Sequence, residues 1–238
     1  VNVQVSDMII SGTGRSDRPT WTILIPTIPQ REHLFLRLLD RLLPQLDEHE
    51  GRVKVVAWRN AGDPRLAEIR DRMIADASSE YVSFIDDDDL VPEYYAAEIV
   101  RALDSRPDHV GFKLEFTTDQ GDGTLGHEIV EHSLKWPKWG RSCEGVLYRD
   151  FTHVDPVRRD YAMQGLFARA RPRRAEDRVW VKQVRPYLSS EVYLDKVMYH
   201  YLWSAEGSSW QAPAELLSGG CRPNIEHPHF SWHPESDQ

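Results

Sequence analysis

The sequence predicts an α/β protein: a mostly parallel central sheet flanked by helices, with a less regular second half. Three observations predict it. Strand-like and helix-like stretches alternate four times between Trp21 and Phe116. The third strand-like stretch, Tyr81-Val82-Ser83-Phe84-Ile85, ends abruptly in four consecutive carboxylates, Asp86 to Asp89, with Pro92 placed to open a helix. Beyond Phe116 the alternation fades into segments punctuated by glycine, proline and tryptophan.

In chain order, residues 1–20 read as a leader ending in the polar stretch Ser11 to Asp17, without the basic-then-apolar pattern of a signal peptide. Trp21 to Ile25 is a first strand, and Pro26-Thr27-Ile28-Pro29-Gln30-Arg31 a loop, because proline lacks a ladder donor. Leu34, Leu38, Leu42 and Leu46, joined by Phe35, Leu39 and Leu43, trace one helical face that Pro44 ends or kinks. Val53 to Trp58 is the second strand. The turn from Asn60 supplies Asp63 and Pro64 as cap and first residue of a helix reaching Ala77, with Leu66, Ile69, Met73 and Ile74 facing inward. The helix from Pro92 ends before Pro107, and His109 to Phe116 is the fourth strand.

Residues 117–142, with four glycines and Trp136-Pro137-Lys138-Trp139, read as a long active-site loop. Gly145 to Tyr148 is a short strand, Asp155 to Ala170 a helix, and Glu176 to Tyr187 another. Val192 to Trp203 alternates as a strand does. The tail, residues 205–238, carries four prolines and His227, His229 and His233 without periodicity. The expected division is 1–20 leader, 21–116 first half, 117–204 second half of the same domain, and 205–238 irregular tail.

A 40% hydrophobic and 28% charged composition suits a folded globular chain, and no apolar run is long enough to span a bilayer. Two cysteines, Cys143 and Cys221, make neither a disulfide framework nor a zinc site, which points to a reducing, cytoplasmic setting. A net charge of −9 argues against a general nucleic-acid-coating role.

Four adjacent carboxylates repel one another unless a cation neutralises them. At the carboxyl end of a buried strand, where open α/β sheets bind ligands, Mn²⁺ or Mg²⁺ with a phosphate ligand resolves the repulsion. A solvated acidic turn is the plainer alternative. An EF-hand is excluded, because counting from Asp86 its glycine and glutamate positions hold Val91 and Ala97.

Four motifs then fall in order: Pro26-Thr27 with Arg31, Ile69-Arg70-Asp71, Phe84-Ile85-Asp86-Asp87-Asp88-Asp89, and Glu176-Asp177. In this order, from Trp21 to Trp203, the chain resembles family 2 glycosyltransferases of the GT-A fold. The resemblance implies that Pro26, Thr27 and Arg31 begin the nucleotide pocket and that Arg70 approaches the donor diphosphate. It implies an Asp-x-Asp element with Asp86 on the ribose, Asp87 in support and Asp88 on the metal. Asp177 would be the general base beside Glu176, and His200 a further metal ligand. Asn60 is the candidate where the family often has an acid after the second strand. The expected donor is a UDP-sugar, the expected activity an inverting, metal-dependent, hexosyltransferase-like transfer, and the irregular half the acceptor side.

The residues also admit plainer roles. Arg70 fits a surface ion pair, Glu176 and Asp177 fit acids favouring a helix start, and His200 fits a satisfied core histidine. Arg158, Arg159, Arg169, Arg171, Arg173, Arg174 and Arg178 form either a solvated face or the seat of an anionic acceptor, a phosphorylated carrier or nucleic acid. Trp136, Trp139, Trp203 and Trp210 suit sugar stacking or core packing. A nucleotidyltransferase and a non-catalytic nucleotide- or carbohydrate-binding module are the competing functions. The first wants a glycine-rich loop that Pro26-Thr27-Ile28-Pro29 lacks; the second leaves Glu176-Asp177 without a task.

Overall fold

In the computed structural model, residues 8–9, 17–49, 51–60, 66–119, 125–138, 140–141, 146–170 and 176–203 are described. Calls on the leader apart from residues 8–9 and 17–20, on Asp63 and Pro64, on Trp139, Cys143, Arg171, Arg173 and Arg174, and on the tail with Trp210 and Cys221 lie outside them, as does the Trp203 side chain; within the leader, Met8 and Ile9 pair antiparallel with Ala57 and Val56.

The described elements are β1 (Met8–Ile9), β2 (Trp21–Thr27), α1 (Glu32–Leu42), β3 (Val53–Arg59), α2 (Leu66–Asp76), β4 (Tyr81–Phe84), α3 (Tyr95–Leu103), β5 (His109–Asp119), β6 (Leu125–His132), β7 (Gly140–Arg141), β8 (Leu147–Arg149), β9 (Val157–Arg158), α4 (Arg159–Ala162), α5 (Glu176–Val184) and β10 (Glu191–Trp203). They form one sheet ordered β1-β3-β2-β4-β9-β5-β6-β8-β7, with β10 on β5. The pairs β2–β3, β2–β4 and β5–β10 are parallel. The short β9 is antiparallel to both β4 and β5, so β5 runs with β4.

β2 is buried along its whole length, as a central parallel strand must be. Trp21, Ile23 and Ile25 join Phe35, Leu38, Leu39 and Leu42 of α1 and Tyr95 and Ile99 of α3 in one core. Leu24, from the other face, joins Met73 and Ile74 of α2 and Trp180 and Val184 of α5 in a second. The period-two pattern of β2 therefore sets helices on both faces. Each fully buried leucine of α1 contributes about 1.5–3 kcal/mol. No helix among the described residues is long and apolar enough to cross a membrane.

Five readings need correction. Pro26 and Thr27 lie in β2 rather than in a loop. Ile85 N donates to Leu24 O and Asn60 N to Thr27 O, so even residues of β2 address β4 and odd ones β3. Pairing with β4 ends at Leu24 and Phe84, so the missing N–H of Pro26 points where no ladder bond is lost. Leu66 stands 40% exposed at the start of α2, while Met73 and Ile74 are buried. Pro92 opens a turn rather than the helix, which starts at Tyr95, whose N–H reaches Pro92 O.

Residues 117–142 are not one loop, since β5 continues into an antiparallel hairpin with β6. Charged and histidine side chains on β6 hid its alternation. Asp155 to Ala170 is not one helix either. Its backbone is taken by β9, with Val157 on Val82 and Arg158 on Tyr81, leaving only the short α4 and a 3-10 turn at Phe167–Arg169. Gly165 brings this segment against α5, where an added Cβ would lie 2.6 Å from the Trp180 ring and 2.8 Å from Val184. Gly165→Ala is expected to destabilise by about 1–3 kcal/mol through overpacking, read as a lower denaturant midpoint with an unchanged slope.

Candidate active site

The acidic turn begins where β4 ends and is closed by Asp89 N donating to Asp86 O. Its four carboxylates are not equivalent. The Asp86 and Asp88 side chains are 25% and 31% exposed, whereas Asp87 is 4% exposed and Asp89 is fully buried. Alternate acids thus face outward.

Asp87 accepts from Thr27 Oγ1 at 2.8 Å and from Arg31 Nη1 at 3.1 Å. The same Arg31 nitrogen lies 2.9 Å from Asp88 Oδ2, and Arg37 donates to the Asp88 carbonyl at 2.7 Å. Burial, with Asp86 and Asp87 alongside, pushes the Asp88 carboxyl above its ordinary value despite Arg31. Asp89 accepts from Tyr199 Oη at 2.7 Å and from Leu202 N at 2.9 Å, while Asp86 N donates to Tyr199 Oη at 3.1 Å. Burial and the neighbouring acids hold Asp89 well above the usual carboxylate range. Asp89 is therefore a peg that fixes the turn to β10.

Asp86 faces Arg70 Nη2 at 2.7 Å and His153 Nε2 at 3.4 Å. Burial pushes its carboxyl up, but Arg70 and His153 outweigh that and hold it below the usual range. The other end of Arg70, Nη1, reaches Glu176 Oε1 at 3.1 Å. The guanidinium also lies 5.7 Å from the centres of the Phe84 and Phe167 rings. At 4% exposure Arg70 is a buried cross-link between two carboxylates rather than a surface ion pair.

Asp177, the next residue along α5, lies 3.4 Å from Arg149 Nη2. Burial raises its carboxyl, yet Arg149, His153 and Arg70 win and lower it. The cost falls on Arg149, whose burial lowers its own pKa despite Asp177.

The structure brings Thr27, Arg31, Arg70, Asp86, Asp87, Asp88 and Glu176 into one contact network at the carboxyl edge of the sheet. Asn60 adjoins it through its bond to Thr27, and Pro26 is buried within β2. His200 lies outside this side-chain network: its backbone bridges Leu90, next to the acidic turn, and its Nδ1 lies 2.7 Å from Glu115 Oε2. Among the described residues no group of three His, Cys, Asp or Glu side chains is placed to hold a metal.

Sequence reasoning missed His153, Arg149 and Arg37. His153 lies in an aperiodic loop tied to β4 by its carbonyl, which accepts from Phe84 N at 2.8 Å, and by its ring, 5.9 Å from that of Phe84. The arginine run divides by role. Arg159 caps carbonyls of Ile74 and Ala75 at the end of α2, Arg158 covers the Tyr161 ring and Arg169 binds Gln183. Trp136 stacks on Tyr148 at 4.3 Å.

No protein-family model matches the chain, and no curated protein matches its sequence. Solved structures do match. S. aureus TarS 1-349 in complex with UDP-GlcNAc aligns at a TM-score of 0.53 and 16% identity, covering 82% of this chain and 62% of that one. Its complex with UDP aligns at 0.52 and 15%, covering 79% and 61%. Without a named ligand TarS 1-349 aligns at 0.51 and 14%, covering 77% and 60%. This chain thus spans about three fifths of the TarS chains it matches. At such identity the likeness speaks for architecture, and the architecture implied by the motif order, the GT-A fold, is the one this chain has.

Proposed function

We propose that the protein is an inverting, metal-dependent glycosyltransferase that moves a sugar from a UDP-sugar to an acceptor hydroxyl. The UDP and UDP-GlcNAc complexes of TarS support the donor class. The observation that carries the reading is the outward pair Asp86 and Asp88, joined through Arg70 to Glu176 and so to its neighbour Asp177. Donor-binding acids and a proton-accepting acid then share one frame.

In this reading Asp86 accepts from ribose hydroxyls, Thr27 and Asn60 line the ends of β2 and β3, and Arg31 lies beside the diphosphate. The residues fit a hard divalent cation. Asp88 offers an exposed carboxylate beside further acids, and Mg²⁺ or Mn²⁺ needs only one or two carboxylates once phosphate and water oxygens complete the shell. Asp88 would hold the ion, and His200, with Nδ1 on Glu115, would offer Nε2. When bound, the ion supplies Lewis-acid charge against the departing diphosphate.

Asp177 takes the acceptor hydroxyl's proton as that oxygen attacks the anomeric carbon opposite the leaving group. A single displacement inverts the configuration and needs no carboxylate nucleophile. Arg149 keeps Asp177 ionised and able to accept.

Asp88→Ala is expected to abolish Mn²⁺-dependent binding of UDP in calorimetry while the unfolding midpoint stays at the wild-type value. Unchanged UDP affinity would take the ion away from Asp88. Slow release of free sugar from a UDP-sugar with Mn²⁺ separates the competing functions. A binding module releases none, and a nucleotidyltransferase instead releases pyrophosphate from a nucleoside triphosphate and a sugar phosphate.

A further inference from the structure

The acidic turn already has a cation of its own. Arg31 closes the 3-10 turn Pro29–Arg31 ahead of α1, and its Nη1 serves two carboxylates at once, Asp87 at 3.1 Å and Asp88 at 2.9 Å. The two acids differ in what else holds them. Asp87 is buried and also bound by Thr27 Oγ1, so it stays in place when Arg31 moves. The Asp88 carboxylate is the most exposed of the four.

We propose that Arg31 is a latch that makes cation binding and nucleotide binding depend on each other: it holds Asp88 in the ligand-free site and passes to the diphosphate when cation and nucleotide arrive. This rests on the reading that Asp88 holds the ion. A divalent cation at Asp88 meets the guanidinium within a few ångströms, and like charges so close oppose each other strongly. The cation alone therefore has to displace Arg31 from Asp88 before a diphosphate is there to take its charge. A diphosphate removes that conflict, because guanidinium N–H groups match phosphate oxygens in geometry and charge. Each ligand then strengthens the other by the same factor. Arg37, close by, is the internal control. It binds the Asp88 carbonyl rather than a carboxylate, so it contributes charge without the latch.

The test titrates Mn²⁺ into the purified chain with and without UDP and follows free Mn²⁺ by electron paramagnetic resonance. In the wild type, UDP is expected to tighten Mn²⁺ binding. Arg31→Gln is expected to bind Mn²⁺ alone at least about fivefold more tightly than wild type, the low end of measured couplings, and to gain less from UDP. Its affinity for UDP without metal should fall. Arg31→Lys, which keeps the charge, should restore weak metal binding. Wild-type Mn²⁺ affinity in Arg31→Gln overturns the latch. So does an equal gain in Arg37→Gln, which would reduce the effect to net charge. Asp88→Ala separates the layers: if it leaves Mn²⁺ binding intact, the metal assignment fails and the latch with it. If it removes binding while Arg31→Gln matches wild type, the latch alone fails.

Discussion

Asp177→Asn is expected to lower turnover at least about 100-fold while leaving fold, Mn²⁺ affinity and UDP affinity near wild type. Asparagine keeps the shape of the side chain and removes its capacity to accept a proton. The pH profile sharpens this expectation. Burial pushes the Asp177 carboxyl up, but Arg149, His153 and Arg70 hold it below the usual range. A lowered pKa leaves the carboxylate ionised from neutral pH down through the ordinary carboxylate titration. Asp177 should therefore contribute no acid limb to the wild-type rate within that window. The sign for stability agrees: the depressed pKa adds stability above the unfolded value, and that stability is lost as pH falls through the folded one. Glu176→Gln should harm turnover less, since Glu176 binds Arg70 and positions the helix start. Acids that merely favour a helix terminus predict a stability loss of about 0.3–1 kcal/mol and ordinary turnover. Near-normal transfer by Asp177→Asn would falsify the base assignment.

Arg70→Met is expected to cost about 3–5 kcal/mol of stability, the range for removing one partner of a buried ion pair. The loss is large because two carboxylates, Asp86 and Glu176, lose their cation together, and the Phe84 and Phe167 rings lose the charge near them. Methionine keeps much of the volume, so the loss reports charge rather than a cavity. A diphosphate-contacting arginine predicts something else: near-wild-type stability and a loss of roughly 1–3 kcal/mol in UDP binding. Urea unfolding and UDP calorimetry on the same variant decide between them.

The strands and helices of the first half were legible because each carries one period. β2 and β4 are mostly apolar, fully buried runs, and α1 repeats its leucines at helical spacing. The acidic turn itself was legible as four carboxylates at a strand end, and the resemblance singled out Asp86 and Asp88, which are the two that face outward. Arg70 shows where legibility ends. Its partner Glu176 lies 106 residues away, and nothing local records whether a helical arginine turns to solvent or into the protein. β6 and β9 were hidden for a related reason. Their ladders are chosen by neighbours, and their own side chains are charged, histidine or glycine where a strand pattern wants apolar residues. The lowered pKa of Asp177 on α5 follows from Arg149, 28 residues earlier on β8, which the adjacent Glu176 gave no hint of.

The peg between Asp89 and β10 also sets a timetable for biosynthesis. The acidic turn leaves the ribosome early, but Leu202, which donates to Asp89, follows 113 residues later. At roughly 5–20 residues per second that is a delay of roughly 6–20 s. Until then Asp89 has neither Tyr199 nor Leu202 and stays in water as an ordinary charged carboxylate. β5 also waits for β10, its parallel partner, with one edge unpaired over much of its length. A nascent chain stalled before Tyr199 would thus carry the residues of the donor site without its frame. It would also expose a strand edge of the kind that recruits chaperones or aggregates.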